Sequence, residues 1–231
     1  MAQFINTTYC TNCNKQASMF QLLSQEEMAY LNEHRHEVHF NAGETIFKEG
    51  GALTHIGCIT SGLAKVSVEG VNKRNLLLYL SKPTSLIGGP GFMVDNRQHY
   101  SVTALTDVIS CFIEIGAFTK VMKTNNEFST AMFKMINKKA TIYINKLISL
   151  TQKQMPGRIA DALLYLSKDV YKSNEFMVDI SRQDIADLSA MSKESAIRII
   201  KEFKDANYIK CEGNNFAIND ATALKKLSQN G

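Results

Sequence analysis

The stretch SRQDIADLSAMSKESAIRIIKEF, residues Ser181 to Phe203, holds two short helical patterns joined by a tight turn. Ser181 with Asp184 three residues later predicts a capping box for the first helix, although Asp replaces the usual Glu or Gln. Ser192 is expected to cap the second helix. Apolar residues recur at helical spacing along both helices and are expected to face inward: Ile185, Ala186, Leu188, Ala196, Ile199, Ile200 and Phe203.

The flanking segments extend this pair of helices to a larger motif. Upstream, Arg158 to Tyr171 has the spacing of another amphipathic helix, and FMVDI after it reads as a short strand. Downstream, YIKCEGNNFAI predicts two strands around Gly213-Asn214-Asn215, which is a hairpin. This order of elements is typical of a winged helix-turn-helix, whose second helix enters the major groove with its N-terminal residues.

The second helix carries polar residues off its apolar stripe. An arginine such as Arg198 can bond guanine through O6 and N7, and a carboxylate such as that of Glu194 can accept from cytosine N4. The two are four residues apart, so we expect them to lie side by side and hold each other in place. The alternative is a solvated pair with no part in base reading.

A long helix is predicted before this motif, from about residue 125 to 154. A heptad seam runs along it, formed by Phe133, Ile136, Ala140, Tyr143, Leu147 and Leu150. Such a seam favours pairing with a second chain, and the alternative is an ordinary core helix. Pro156 and Gly157 are expected to end or kink the helix, because proline lacks the N–H that the helix needs.

The segment from about Phe20 to Lys123 consists of short apolar runs separated by glycines. Gly43, Gly50 and Gly62 stand at turn positions where positive φ is expected. Many short strands with regular turns predict an antiparallel sandwich or barrel.

Composition limits the class of protein. The 231 residues are 45% hydrophobic and 21% charged, with a net charge of +4, which fits a globular chain and permits nucleic-acid binding. The apolar runs are too short to cross a membrane, and MAQFINTTYC lacks the features of a signal peptide. We therefore expect a cytoplasmic protein. The chain has no G-x-S-x-G, H-E-x-x-H or Walker sequence, so no enzyme activity is expected.

Several of these motifs resemble those of the cyclic AMP receptor protein/FNR (CRP/FNR) family of bacterial transcription regulators. The likeness runs through RQDIA, SKESAIRIIKEF and DANYI, and upstream through AGETIFKEGG and ITSGLAKV, so it covers almost the whole chain. The resemblance implies an α+β fold with four parts. These are a cysteine-containing tail (1–19), a cyclic-nucleotide-binding-like β-roll (20–123), a dimerisation helix (124–155) and a winged helix-turn-helix (156–231).

The resemblance also implies a function and a set of DNA contacts. The expected protein is a homodimer that binds a palindromic site on double-stranded DNA, and contacts RNA polymerase if it activates. Glu194 and Arg198 would contact bases. The full expected set is Arg182, Gln183, Ser192, Lys193, Glu194, Ser195, Arg198 and Lys201. Ala190 replaces the family's usual glycine, which predicts an alanine at positive φ. The alternative is a redox- or ligand-sensing protein whose helix-turn-helix contacts another protein.

The signal is not implied by the family alone. Relatives that bind cyclic AMP have a Gly-Glu pair and an Arg-Ser/Thr-Ala run, whereas this chain has Gly89 or Pro90 at the glutamate and 99–101 (His-Tyr-Ser) at the run. Without the carboxylate and the phosphate clamp, cyclic AMP is not expected. The expected pocket for a different small ligand comprises Leu86, Gly88, Gly89, Arg97, His99, Tyr100 and Ser101.

The cysteines offer a second kind of signal. Oxygen sensors of the family hold an iron–sulfur cluster with several tail cysteines and one from the β-roll, and Cys10, Cys13 and Cys111 resemble part of that set. A fourth ligand would have to be Cys58 or a histidine: His34, His36 or His39. A cluster or another metal, a reversible thiol switch and inert thiols all remain open, while Cys211 reads as a small hydrophobe.

Overall fold

A computed structural model describes residues 3–4 and 17–230. Two compact units divide them: the first combines the described residues up to Val68 with Leu80–Ala140, and the second combines Glu69–Tyr79 with the described residues from Thr141 onward. The boundary between the units therefore falls inside the longest helix. Within the described part of the chain, no helix is long and apolar enough to cross a membrane.

Twelve strands and seven α-helices are described. The strands are β1 (Gln3–Phe4), β2 (Arg35–Phe40), β3 (Thr45–Phe47), β4 (His55–Ser61), β5 (Ala64–Glu69), β6 (Asn75–Ser81), β7 (Leu86–Ile87), β8 (Ser101–Ala104), β9 (Val108–Glu114), β10 (Glu175–Met177), β11 (Ile209–Glu212) and β12 (Asn215–Ile218). The helices are α1 (Gln25–Glu33), α2 (Ile115–Thr124), α3 (Asn126–Gln152), α4 (Met155–Tyr165), α5 (Arg182–Leu188), α6 (Lys193–Asp205) and α7 (Ala221–Asn230).

Antiparallel sheets form the β-roll. One has the strand order β1-β2-β9-β4-β7, and the other has the order β3-β8-β5-β6. Gly62 has φ +83, and a Cβ there would lie 2.1 Å from the carbonyl oxygen of Asp107, so only glycine fits this turn. Gly43 and Gly50 also have positive φ. The antiparallel architecture and the three glycine conformations predicted from the sequence are confirmed.

Helices cover one face of the five-stranded sheet. The rings of Phe20 and Phe118 lie 5.7 and 5.4 Å from that of Phe128, at the start of α3. The Asn125 amide donates to Glu27 at 2.8 Å, and Glu27 in turn closes a capping box on α1. The cluster around these rings includes Leu86, and the ammonium of Lys139 on α3 donates to the Leu86 carbonyl oxygen at 3.0 Å. The β-roll and the first half of α3 thus share one core.

The second unit is a winged helix-turn-helix. Helix α4 packs on α7, α5 and α6, and a three-stranded sheet of order β10-β12-β11 forms the wing. Its core includes the fully buried side chains of Ile159, Leu163 and Ile185. Asp161 on α4 accepts from the Lys153 ammonium at 2.8 Å, which ties the end of α3 to α4. The fold class expected from the sequence is therefore confirmed.

Helix boundaries in the second unit differ in detail from the expectation. Helix α4 begins at Met155 rather than Arg158, with Pro156 in its first turn, where no partner is needed for the missing N–H. A π-helix, Leu166–Tyr171, follows it. The wing turn is shorter than expected, because Asn215 already pairs with Glu212 in the β11–β12 ladder.

Candidate DNA interface and sensor site

Side-chain caps set the positions of α5 and α6. The Ser181 hydroxyl accepts from the backbone N–H of Asp184 at 3.1 Å, and the Asp184 carboxylate accepts from the backbone N–H of Ser181 at 2.9 Å. The capping box is therefore complete with Asp at its third position. The Ser192 hydroxyl accepts from the backbone N–H of Ser195 at 3.2 Å and starts α6. Both predicted caps are confirmed.

The turn between α5 and α6 places an alanine in the left-handed region. Ala190 has φ +49, as expected for a residue that replaces the family's glycine. The next residue closes the turn, since the N–H of Met191 donates to the Ala186 carbonyl oxygen at 3.1 Å. The turn therefore keeps its geometry at the cost of backbone strain at one residue.

Apolar side chains bury the inner sides of both α5 and α6. All seven residues predicted to face inward are buried: Ile185, Ala186, Leu188, Ala196, Ile199, Ile200 and Phe203. Burial of one side leaves the other exposed, and Lys193, Glu194, Arg198 and Lys201 are exposed there. We call these four residues the outer face of α6.

The charges on the outer face are paired differently from the expectation. The guanidinium of Arg198 contacts the Glu202 carboxylate at 3.2 Å, so the expected partnership with Glu194 was wrong. Glu194 lies in the first turn, where its own backbone N–H and the Ser192 side chain hold the pKa of its carboxyl below the usual value. Free N–H groups in a first helical turn attract a carboxylate, which explains why Glu194 interacts with the start of α6 and not with Arg198.

Two residues of the expected DNA-binding set have intramolecular partners. The guanidinium of Arg182 donates to the Gly213 carbonyl oxygen and to the Cys211 sulfur, the latter at 3.2 Å, and lies 4.7 Å from the centre of the Phe216 ring. Arg182 thus fastens α5 to the wing. The Gln183 amide donates to Asp187 at 2.7 Å and stays exposed.

A cleft beside the start of α6 adds two cations that the sequence reasoning missed. It measures about 690 Å³, and its lining includes Lys73 and Arg74 together with Asp187, Lys193 and Glu194. Lys73 and Arg74 end the turn between β5 and β6. The only sequence signal was two adjacent basic residues in a polar segment, which is common on any surface.

In the β-roll, a tyrosine fills the space next to the glycines of the expected pocket. Tyr100 is 3% exposed, and its hydroxyl accepts from the backbone N–H of Gly88 at 3.4 Å. A Cβ on Gly89 would lie 3.5 Å from the Tyr100 ring and 3.3 Å from the amide oxygen of Gln98. The Tyr100 ring and the Gln98 amide therefore both pack against Gly89.

The side chains of Arg97 and His99, two members of the expected pocket, face outward. His99 contacts the Asp95 carboxylate at 2.9 Å, and Arg97 donates to the Gly50 carbonyl oxygen at 3.3 Å. Bonds from the Arg97 N–H and from His99 lower the pKa of Asp95. Arg97 and His99 are exposed whereas Tyr100 is buried, so the structure does not bring the expected residues together in one pocket.

The remaining pocket residues have separate roles. Leu86 is buried, and the Ser101 hydroxyl accepts from the backbone N–H of Glu49 at 3.1 Å. Gln98, which the sequence reasoning missed, is 2% exposed, and neither its amide oxygen nor its amide nitrogen has a hydrogen-bond partner in the described chain. A buried amide without partners destabilises the fold.

Comparison with known proteins assigns both units. Residues 37–125 match the model of the cyclic nucleotide-binding domain, and residues 157–227 match the Crp-like helix-turn-helix domain. The chain belongs to the CRP/FNR family of transcription regulators. It is a sequence-specific DNA-binding regulator of this type.

The similarity to known proteins covers nearly the whole chain. A CRP-like cAMP-activated global transcriptional regulator of Mycobacterium tuberculosis is 24% identical, covering 92% of this chain and 97% of its own. The transcriptional activator protein FnrL of Cereibacter sphaeroides is 23% identical, covering 84% and 80%. The solved structure of FixK2 from Bradyrhizobium japonicum superposes with a TM-score of 0.76 at 14% identity, covering 83% and 96%, which shows the shared fold.

The cyclic-nucleotide-binding domain of this CRP/FNR regulator does not carry the groups that a cyclic nucleotide needs. A cyclic phosphate requires a cation or several donors, but Arg97 and His99 are engaged with Gly50 and Asp95. The resemblance puts Gly89 or Pro90 at the place of the family's ribose acceptor, neither side chain can accept a hydrogen bond, and the Tyr100 ring packs against Gly89. The residues present therefore do not fit cyclic AMP.

Of the cysteines considered as metal ligands, Cys58 and Cys111 lie within the described residues. Cys10 and Cys13 lie outside the described residues. Cys111 on β9 is buried opposite Cys58 on β4, and the guanidinium of Arg35 donates to its sulfur at 3.4 Å. Within the described residues, no group of three or more His, Cys, Asp or Glu side chains is placed to hold a metal.

The candidate histidine ligands lie apart and have different neighbours. His34 contacts the Tyr30 carbonyl oxygen at 3.1 Å, and His39 contacts Glu37 at 3.3 Å. His36 stacks on Phe112, and burial lowers its pKa. The three histidines therefore form no ligand group with one another or with Cys58 and Cys111 among the described residues.

Helix α3 presents an apolar face to solvent. Its exposed residues are Phe133 (67% exposed), Ile136 (46%), Ala140, Ile144 (57%) and Leu147 (61%), and we call this set the exposed α3 face. Tyr143 and Leu150, from the predicted seam, are half-buried, and the Tyr143 ring lies 6.3 Å from that of Tyr79. Ile144, which was not predicted from the sequence, completes the face.

Proposed function

We propose that this regulator is a homodimer whose two α6 helices read the half-sites of a palindromic operator. The observation that carries the proposal is the outer face of α6, which is polar and exposed at the end that the motif places in the major groove. Arg198 is assigned to guanine and Glu194 to cytosine. Lys193, Ser195 and Lys201 are assigned to bases or phosphates, and Ser192 to a phosphate.

The exposed α3 face supports the dimer. Five apolar positions at steps of three or four residues form a stripe along α3, and burial of such a stripe against a second copy is the usual reason for its exposure. A two-fold dimer places its recognition helices about one helical turn of DNA apart, roughly 34 Å. The expected operator is therefore palindromic with half-sites about 10 base pairs apart.

The signal that we propose is a small polar ligand other than a cyclic nucleotide, bound in the β-roll. The unpartnered amide of Gln98 supports this assignment, because a ligand that bonds it would satisfy both of its atoms. Ligand binding would shift a population between two states, and α3 would transmit the shift because it belongs to both units. The protein would act on chromosomal DNA in the cytoplasm, with RNA polymerase as partner if it activates.

A metal-based signal is tested directly. Iron, zinc and acid-labile sulfide are measured per chain on protein purified without oxygen. Metal-free protein with intact DNA binding is the expected result. Near-stoichiometric iron and sulfide, lost in Cys10→Ser, would replace the ligand with an FNR-like cluster.

Base reading by α6 is tested with one variant on that helix and one control variant outside the helix-turn-helix. Arg198→Ala and Lys226→Ala each remove one positive charge, and Lys226 is an exposed residue of α7 outside the helix-turn-helix. We expect Arg198→Ala to weaken binding to the operator by roughly 10- to 100-fold and leave non-specific binding almost unchanged. Lys226→Ala should keep its preference for the operator.

Two outcomes would contradict the proposal. Retained sequence preference in folded Arg198→Ala would remove Arg198 from base reading. Binding that neither falls steeply with salt nor depends on sequence would favour the alternative in which the helix-turn-helix contacts another protein.

A further inference from the structure

An isoleucine interrupts the exposed side of α6. Ile197 is 45% exposed, whereas Ile199 and Ile200 on the same helix are 1% and 5% exposed. Among the exposed large apolar side chains of the described chain, it is the one that lies on α6. A single exposed isoleucine is common on protein surfaces, so exposure alone says little.

Its position says more. Ile197 follows Lys193 by four residues and Glu194 by three, and it precedes Lys201 by four, so three members of the outer face are its neighbours on the helix surface. It also lies in the first half of α6, which contains the residues that reach base edges in this motif. A β-branched side chain lowers helix propensity at an exposed position, so nothing in the helix itself favours isoleucine here.

The chemistry of base edges leaves one match for this side chain. An aliphatic group neither donates nor accepts a hydrogen bond, and the apolar group in the major groove is the C5-methyl of thymine. We propose that Ile197 contacts a thymine methyl in each half-site and so specifies a T·A pair next to the pairs read by Glu194 and Arg198. This inference rests on the proposed reading of DNA by α6.

The test removes the methyl group from the DNA and the side chain from the protein. The operator is first selected by the wild-type full-length protein from random duplexes. Each thymine is then replaced in turn by deoxyuridine, which lacks only the methyl group, at the symmetric positions of both half-sites. Dissociation constants are measured for wild type and for Ile197→Ala.

We expect one thymine position per half-site at which deoxyuridine weakens wild-type binding roughly three- to ten-fold. In Ile197→Ala that effect should vanish, while the effects of deoxyuridine elsewhere and the preference due to Arg198 persist. The variant is expected to fold normally, because the side chain is exposed and alanine favours the helix. A thermal melt checks this, and Lys226→Ala serves as the binding control.

Two results would overturn the inference while base reading by α6 stands. One is an identical deoxyuridine profile for wild type and Ile197→Ala, and the other is a selected operator without thymine in its half-sites. Failure of the wild type to select any sequence would instead overturn the proposed reading of DNA, and with it the role of Ile197.

Discussion

Truncation of Phe133 tests the proposed dimer with little risk to the fold of the single chain. Its side chain is 67% exposed. An aromatic side chain of about 200 Å² therefore offers roughly 130 Å² to a partner. At about 25 cal/mol per Å², full burial would contribute about 3 kcal/mol per side chain. If the dimer buries half of this area, Phe133→Ala removes about 1.5 kcal/mol from each of two chains.

The expected loss is thus about 3 kcal/mol per dimer, or roughly a 150-fold rise in the dimer dissociation constant. Sedimentation velocity over a range of concentrations measures that constant. The matched control is Lys138→Ala, since Lys138 is an exposed residue of α3 outside the exposed α3 face. Far-UV circular dichroism should show the same helix content in both variants.

An unchanged dissociation constant in Phe133→Ala would refute the assignment of the exposed α3 face to the dimer. Equal shifts in both variants would refute it as well, because the effect would then follow the helix rather than its apolar face.

Three further predictions concern single residues. Ala190→Gly should raise the free energy of unfolding by about 0.5 kcal/mol, because relief of strain at φ +49 exceeds the entropy that glycine adds to the unfolded chain; unchanged or lower stability in urea would contradict this. Gln98→Met should stabilise the ligand-free protein by about 1 kcal/mol and abolish the response to effector, and a loss of stability would mean that the amide is satisfied. Burial lowers the pKa of Lys146 to about 8. Lysine in the unfolded chain has a pKa of about 10.4, so the unfolded chain binds more protons than the folded chain between these two pH values. The free energy of unfolding should therefore rise with pH in that window. The rise should be smaller in Lys146→Met, and parallel pH profiles would contradict the burial of this amine.

Local patterns in the sequence predicted the helix-turn-helix well. Apolar spacing identified the inner faces of α5 and α6, and Ser181 with Asp184 identified the capping box, because both signals act over three or four residues. The positive φ of Ala190 followed from the resemblance to the family, whose usual residue at this place in the turn is glycine. Each of these features depends on neighbours in the chain and is therefore legible in the sequence.

Contacts between distant segments were not predictable in the same way. Arg182 bonds Gly213 across the wing, and the Tyr100 hydroxyl bonds the N–H of Gly88. Nothing in the sequence near either side chain indicates these partners. The sensor site therefore could not be assembled from the sequence.

The heptad seam of α3 contains both a feature that the sequence predicted and one that it did not. Heptad spacing correctly indicated an apolar stripe, and Phe133 and Leu147 lie on the exposed α3 face. The same spacing assigned Tyr143 to the seam and passed over Ile144. Tyr143 lies near Tyr79, whose position depends on the fold of the second unit.

Selection of binding sites from random duplex DNA would show whether α6 reads a base sequence. The full-length protein is incubated with the pool at near-physiological salt, and the bound duplexes are sequenced after each round. We expect a palindrome with half-sites about 10 base pairs apart, enriched by the wild type and not by Arg198→Ala. Absence of any enriched sequence would contradict the claim that α6 reads DNA, and the same palindrome enriched by both proteins would contradict base reading by Arg198.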